Sequence, residues 1–206
     1  MSIVLYNYIA VSGVRDNVLR FRNDARRRSP VRLHARFKTS RTIALSFETL
    51  FRLHSRLRYP RFYVPADDGH YDATWSGIAK WNEYTQARYT LEVKNAHIYE
   101  MLLPLSRCYP DLCFVNSELC LDDCSITCTY TRRRRQSHWE YPQSQIDAHW
   151  TAAAKRHRVR NMERAYENDE IRSEAEFAML EEALQHWNGR VRKVLGRALP
   201  AMRVSG

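Results

Sequence analysis

From Ile126 to Thr131 apolar and polar positions take turns. Ile126, Cys128 and Tyr130 alternate with Thr127, Thr129 and Thr131, which predicts a strand with two unlike faces. Pro110 and Asp111 cannot readily extend a helix, so Tyr109 should close one and a strand should begin at Leu112. Asp122-Asp123 suits the two-residue turn between these strands. Upstream, Ile98, Met101, Leu102 and Leu105 have helical spacing within Ala96 to Tyr109, a helix bent or started late by Pro104. Arg88 to Val93 alternates Tyr89, Leu91 and Val93 with Thr90, Glu92 and Lys94, a half-buried strand. Ile3 to Ser12, rich in β-branched and tyrosyl residues and closed by Gly13, is another. Val14, Val18, Phe21 and Ala25 then draw the apolar stripe of a helix that Ser29-Pro30 ends. Ile43 to Leu50 is apolar enough to be buried as strand or helix. The order is strand, helix, strands, helix, strand, strand.

Gln143 to Leu199 contains no proline and one firm period: Phe177, Leu180, Leu184, Trp187, Val191, Val194 and Ala198 fall at spacings of three and four in turn, with Asn188-Gly189 as a candidate interruption. Such a short seam is marginal alone. It favours packing on the preceding helix, Ile146 to Asn168, over a homodimer through the C-terminal helix. The expected fold class is therefore α+β: a ferredoxin-like antiparallel sheet with helices on one face (residues 1–142), then a C-terminal α-helical hairpin (143–206).

The 206 residues carry a net charge of +10, and the placement of that charge says more than its size. From Arg15 to Arg61 fourteen basic side chains face three acidic ones, and all but one of the fourteen are arginine. The guanidinium fork binds phosphate bidentately and stacks on bases, which a merely solubilising surface does not require. A second concentration, Arg132 to Arg135, follows the strand ending at Thr131; as a strand extension it would send alternate side chains to opposite faces. Arg58-Tyr59-Pro60-Arg61-Phe62-Tyr63 interleaves rings and cations, the pattern that stacks and clamps single-stranded bases, or else a proline-broken loop with its rings on the core. The candidate nucleic-acid-binding residues are thus Arg22, Arg26, Arg27, Arg28, Arg32, Arg36, Lys38, Arg41, Arg58, Tyr59, Arg61, Tyr63, Arg132, Arg133, Arg134 and Arg135.

Other chemistry has less foothold. No Gly-rich phosphate loop, serine elbow or His-Glu-x-x-His run occurs. The five cysteines, Cys108, Cys113, Cys120, Cys124 and Cys128, form no Cys-x-x-Cys knuckle; on a strand Cys124 and Cys128 would share a face as small buried residues. Asp67, Asp68, His70 and Asp72 could hold a hard cation, but such clusters are common turn chemistry. No metal, cofactor or catalytic residue is assigned. His138, beside the arginine run, is the one histidine placed to act as a general acid in RNA cleavage. No apolar run approaches the roughly 20 residues that cross a bilayer, and the first residues lack the charged-then-apolar order of a signal peptide, so no membrane association and a cytoplasmic location are expected.

Several short stretches resemble the YubB-type ferredoxin-like domain of small bacteriophage and plasmid proteins: Tyr6-Asn7 followed by Val11-Ser12-Gly13, Leu45-Ser46-Phe47-Glu48-Thr49-Leu50, the cluster of Trp75, Gly77, Lys80 and Trp81, and Leu105-Ser106 leading into Tyr109-Pro110-Asp111-Leu112. The resemblance covers residues 3–131. It implies helices on an antiparallel sheet and an origin in a mobile genetic element, and it supplies no catalytic residues. The tryptophans, glycine and lysine are more widely spaced here than in that family, and Ala96-His97-Ile98 stands where its members have Ser-Pro-Pro.

The expected function is that of a non-enzymatic nucleic-acid-binding accessory protein of a phage or plasmid, its arginines neutralising the phosphates of RNA or single-stranded DNA. An acidic protein surface is the alternative partner, as for an inhibitor of a host defence complex such as a CRISPR effector. A metal-independent endoribonuclease using His138 is the third reading.

Overall fold

Strand β1 (Val4–Gly13) lies at the middle of the sheet, antiparallel to β3 (Tyr84–Lys94) on one side and to β4 (Cys113–Cys120) on the other. The computed structural model describes residues 4–25, 50, 53–54, 74–81, 84–94, 97–120 and 124–196. With β2 (Thr74–Trp81), β5 (Ser125–Arg132) and β6 (Arg135–Glu140), the six strands run β2-β3-β1-β4-β5-β6, every neighbour antiparallel. Helices α1 (Arg15–Ala25) and α2 (Ile98–Cys108) cover one face. The other carries α3 (Gln143–Arg156), α4 (Met162–Glu167), α5 (Asp169–Gln185) and α6 (Asn188–Gly196). The fold is α+β, as the hydrophobic pattern predicts.

The period of two sorts β1 between two cores. Ile9 and Val11 pack with Val18 and Phe21 of α1 and with Leu102 and Leu105 of α2. Tyr8 and Ala10 point the other way and share a core with Val115 and Ile126 of the sheet and with Trp150 and Leu180 of the C-terminal helices. Those helices are therefore a layer over the sheet's second face.

The expected C-terminal hairpin is elaborated into four helices. α3 does pack on α5, but Arg158, at φ 57°, and the caps that follow it break the helix expected through Asn168. Asn161 Oδ1 accepts from Glu163 N–H, and Asn168 Oδ1 accepts from both Glu170 and Ile171 N–H, so each asparagine starts a new helix. The seam does not run on either. The chain turns at His186 and Trp187, Trp187 Nε1–H donates to the Cys128 carbonyl at 3.2 Å, and Phe177 is left half exposed.

Two strands escaped the pattern. β2 reads Trp-Ser-Gly-Ile-Ala-Lys-Trp after its first residue and has no clean alternation, and β6 carries a single large apolar residue, Trp139. Cys124 does not share a strand face with Cys128: it precedes β5, exposed and at φ 50°, while Cys128 is fully buried and its thiol is pushed up to about 12 by that burial. Among the described residues no group of three or more His, Cys, Asp or Glu could hold a metal ion, and no helix is long and apolar enough to cross a membrane. The Asp67, Asp68, His70 and Asp72 group, the Asp122-Asp123 turn and residues 43–49 lie outside the described residues.

One polar pair sits inside the first core. Asn116 Nδ2–H donates to Asn7 Oδ1 at 3.0 Å, and Asn7 Nδ2–H donates to the Leu5 carbonyl at 3.2 Å, both side chains fully buried. Asn116 Oδ1 has no hydrogen-bond partner among the described residues. Truncating Asn7 would leave both ends of the Asn116 amide unsatisfied, so Asn7→Ala is expected to cost about 1.5 kcal/mol. Replacing both asparagines by leucine should cost less than the single change, because no orphaned amide remains. Urea unfolding of the three variants checks the order.

Candidate functional site

The outer part of the α1/α2 face is polar where β4, β5 and β6 lie side by side. Antiparallel register puts Glu118 opposite Thr127 and Thr127 opposite Glu140, and it puts Asn116 opposite Thr129 and Thr129 opposite His138. α2 runs above this surface and contributes Tyr99 from its first turn and His97 from its N-cap. His97, Tyr99, Glu118, Thr127, His138 and Glu140 line an open groove of about 680 Å³.

His97 caps α2 without a side-chain hydrogen bond. The missing acceptor comes from the sheet: Glu118, only 5% exposed, accepts from the Ile98 N–H through Oε2 at 3.3 Å and holds His97 Nδ1 through Oε1 at 2.5 Å. A carboxylate at a helix N-terminus meets unpaired donors and the positive end of the helix dipole, which suits a buried negative charge. Its hydrogen bond to the Glu118 carboxylate raises the His97 imidazole above its ordinary value, against burial. Across the groove His138 Nδ1 lies 2.9 Å from Thr129 Oγ1. The two imidazoles meet through one ring: His97 stacks on Tyr99 at 5.1 Å between centroids, and His138 meets Tyr99 edge to face at 5.0 Å.

At one end of these strands stands the arginine run. Arg132 pairs with Arg135 in the β5-β6 ladder, and Arg133 and Arg134 form the two-residue turn, at φ 46° and 69°. The run is a hairpin tip and not the strand extension its sequence suggests, because two consecutive residues in the left-handed region reverse the chain. Arg133 Nε–H donates to the Pro110 carbonyl at 3.1 Å, with Asp111 3.4 Å from its Nη2, and the Arg134 N–H donates to Ser106 Oγ of α2. α6 brings Arg190, whose guanidinium lies over Tyr130 at 4.5 Å and Trp187 at 5.4 Å and donates to Ser137 Oγ. Burial pushes the Cys113 thiol up, and the Tyr130 hydroxyl 3.7 Å from its sulfur, then the charges of Arg132, Arg133 and Arg190, pull it back.

Of the sixteen candidate binding residues, Arg132, Arg133, Arg134 and Arg135 come together at this tip. Arg22 does not join them, since α1 packs over β1 and β3 on the far side of β4. Arg26, Arg27, Arg28, Arg32, Arg36, Lys38, Arg41, Arg58, Tyr59, Arg61 and Tyr63 lie outside the described residues. Arg190 was missed, with its exposed neighbours Arg192 and Lys193 on α6, because a lone basic cluster on an amphipathic helix reads as its solvent face. His97 and Glu118 were missed because nothing short of the strand register brings them together.

A second cavity, of about 210 Å³, opens on the other sheet face between β3 and α5. Its cation is already satisfied: Arg88 donates to Gln86, Tyr8 and Glu181 at 2.7, 3.3 and 3.0 Å, and Gln86 in turn donates to Ser12. That is a structural network tying the sheet to α5. No protein-family model, curated protein or solved structure matches the chain.

Proposed function

We propose that this chain binds single-stranded nucleic acid, RNA in the first instance, through the cationic surface of the β5-β6 tip and α6, as a cytoplasmic accessory protein of a mobile genetic element. One observation carries the reading. A two-residue turn with positive φ at both positions is ordinarily Asn-Gly or Asp-Gly, and a side chain such as arginine costs about 1–2 kcal/mol per residue there. Arg133 and Arg134 occupy those positions between two further arginines. Turn geometry does not select four consecutive cations, and mutual repulsion opposes them. A polyanion that receives them compensates for both. Arg190, held over two rings, adds a fixed cation to the same surface, and the chain's net charge of +10 favours a polyanion as well. The β2-β3-β1-β4 order of the first four strands supports a ferredoxin-like reading of residues 1–142.

The turn offers a test in which stability and binding move in opposite directions. Arg133→Asn with Arg134→Gly installs the preferred turn pair, so the unfolding free energy should rise by about 1 kcal/mol, slightly offset by loss of the exposed Arg133–Asp111 pair. Retention of a single-stranded RNA should weaken, and the slope of log affinity against log salt should become shallower by roughly 1.5, the counterion release of two phosphate contacts. A stabilised double variant with an unchanged salt slope removes the proposal. Retention of an acidic protein and of no nucleic acid would assign the surface to a protein partner instead.

A further inference from the structure

We infer that the groove between α2 and β6 is a metal-independent phosphodiester-cleaving site for RNA, with His138 as general base and His97 as general acid. The inference rests on the binding reading, since the tip is what holds the strand. Three features of the groove point to chemistry beyond retention. Two imidazoles flank one opening, both against Tyr99 and both with Nδ1 already engaged, His97 by Glu118 and His138 by Thr129. Each ring therefore has its Nε2 left for the groove it lines. The two anchors differ in kind. Glu118 is a buried carboxylate that favours the imidazolium, whereas Thr129 is a buried neutral hydroxyl that adds no charge. His97 is thus placed as the proton donor by its carboxylate anchor, and His138, anchored on a hydroxyl, is the second ring that a proton-in, proton-out reaction requires.

The reaction needs no co-reactant. Nε2 of neutral His138 takes the proton of a ribose 2′-hydroxyl, and that oxygen attacks the adjacent phosphorus. The bond from phosphorus to the 5′-oxygen of the next nucleotide breaks, and His97 Nε2–H protonates the departing oxygen. The products are a 2′,3′-cyclic phosphate and a free 5′-hydroxyl, and His97 and His138 have exchanged protonation states. At about 3.3 Å per residue along β6, Arg134 is some 13 Å from His138, so the tip would hold a phosphate beyond the scissile one. The charged and titratable groups facing His97 are Tyr99 and Glu100 on its own helix, Glu118 on β4, and His138 and Glu140 on β6. Glu118 acts through His97 and is a positioning residue.

The test uses the full chain, a labelled single-stranded RNA of mixed sequence, the matching DNA, and EDTA throughout. Cleavage of the RNA alone is expected, leaving cyclic phosphate ends. His138→Ala and His97→Ala should each slow it by about 10²–10⁴-fold, far more than any accompanying loss of RNA retention. Both residues are exposed, so an unchanged unfolding midpoint for His138→Ala shows that the fold is kept. Glu118→Gln should move the alkaline limb of the rate profile to lower pH, a response that mere structural loosening does not give. RNA retained by the wild type and left intact overturns the inference and leaves the binding reading standing, and so does cutting that is equally fast in His138→Ala. No retention of RNA removes both.

Discussion

Phe21→Ala should lower the unfolding free energy by about 4 kcal/mol, the largest single loss expected in the described part of the fold. The ring is 1% exposed and meets three others edge to face: Tyr89 at 6.3 Å, Tyr109 at 5.1 Å and Phe114 at 5.4 Å between centroids. Removing a buried phenyl group costs about 3–5 kcal/mol in transfer and cavity terms, and edge-to-face pairs add their own increment. The site has little freedom to collapse. Tyr109 is fixed by its hydroxyl, which donates to Asp24 at 2.9 Å and lies 3.0 Å from His54 Nε2, and Phe114 is held between Val11 of β1 and Thr131 of β5. Phe21→Leu, which keeps most of the volume, should cost well under half as much. Urea unfolding at a constant m-value reads both, and a drop on the order of 10 °C in the thermal midpoint should accompany the alanine change. A loss below about 1 kcal/mol would mean that α1 does not close this core.

Glu118→Gln should cost about 2 kcal/mol at pH 6 and progressively less as the pH rises. The carboxylate makes charge-assisted bonds to His97 and to the first N–H of α2, each worth about 1.5–3 kcal/mol when buried, and the lower end applies because His97 is half exposed. The sign follows from which state holds the proton more tightly. His97 is raised in the folded chain, so its contribution is complete below the unfolded value of about 6.5 and is lost as the pH passes the folded one. His54 and His186 tilt the other way, both lowered by burial. The difference between wild type and variant is therefore the quantity to measure, since it cancels them. A difference that stayed flat from pH 6 to 9 would show that Glu118 does not act through the imidazolium.

The sheet was legible where a strand has one apolar and one polar face. Ile126, Cys128 and Tyr130 alternate with threonines, and β5 lies where that alternation puts it. The same alternation does not say what covers the polar side. Thr129 and Thr131 are buried with Asn116 and Glu118 beneath α2. Their polarity belongs to the patch under α2, and only the register of three strands and the crossing of α2 assembles it. His138 could be singled out by its neighbours in the chain, whereas its partners His97 and Glu118 could not. The tip escaped for a different reason: reversal at Arg133 and Arg134 goes against the conformational preference of arginine, so a reading built on preference extends the strand.

The place of β1 has a consequence for how the chain is made. Leu5 pairs with Val93 on one side and Cys120 on the other, so this early-synthesised strand waits for partners that leave the ribosome much later. Until α5 follows, Tyr8 and Ala10 present an uncovered apolar surface to the cell. Nascent chains paused between β1 and β4 should therefore depend on chaperones far more than the finished protein does.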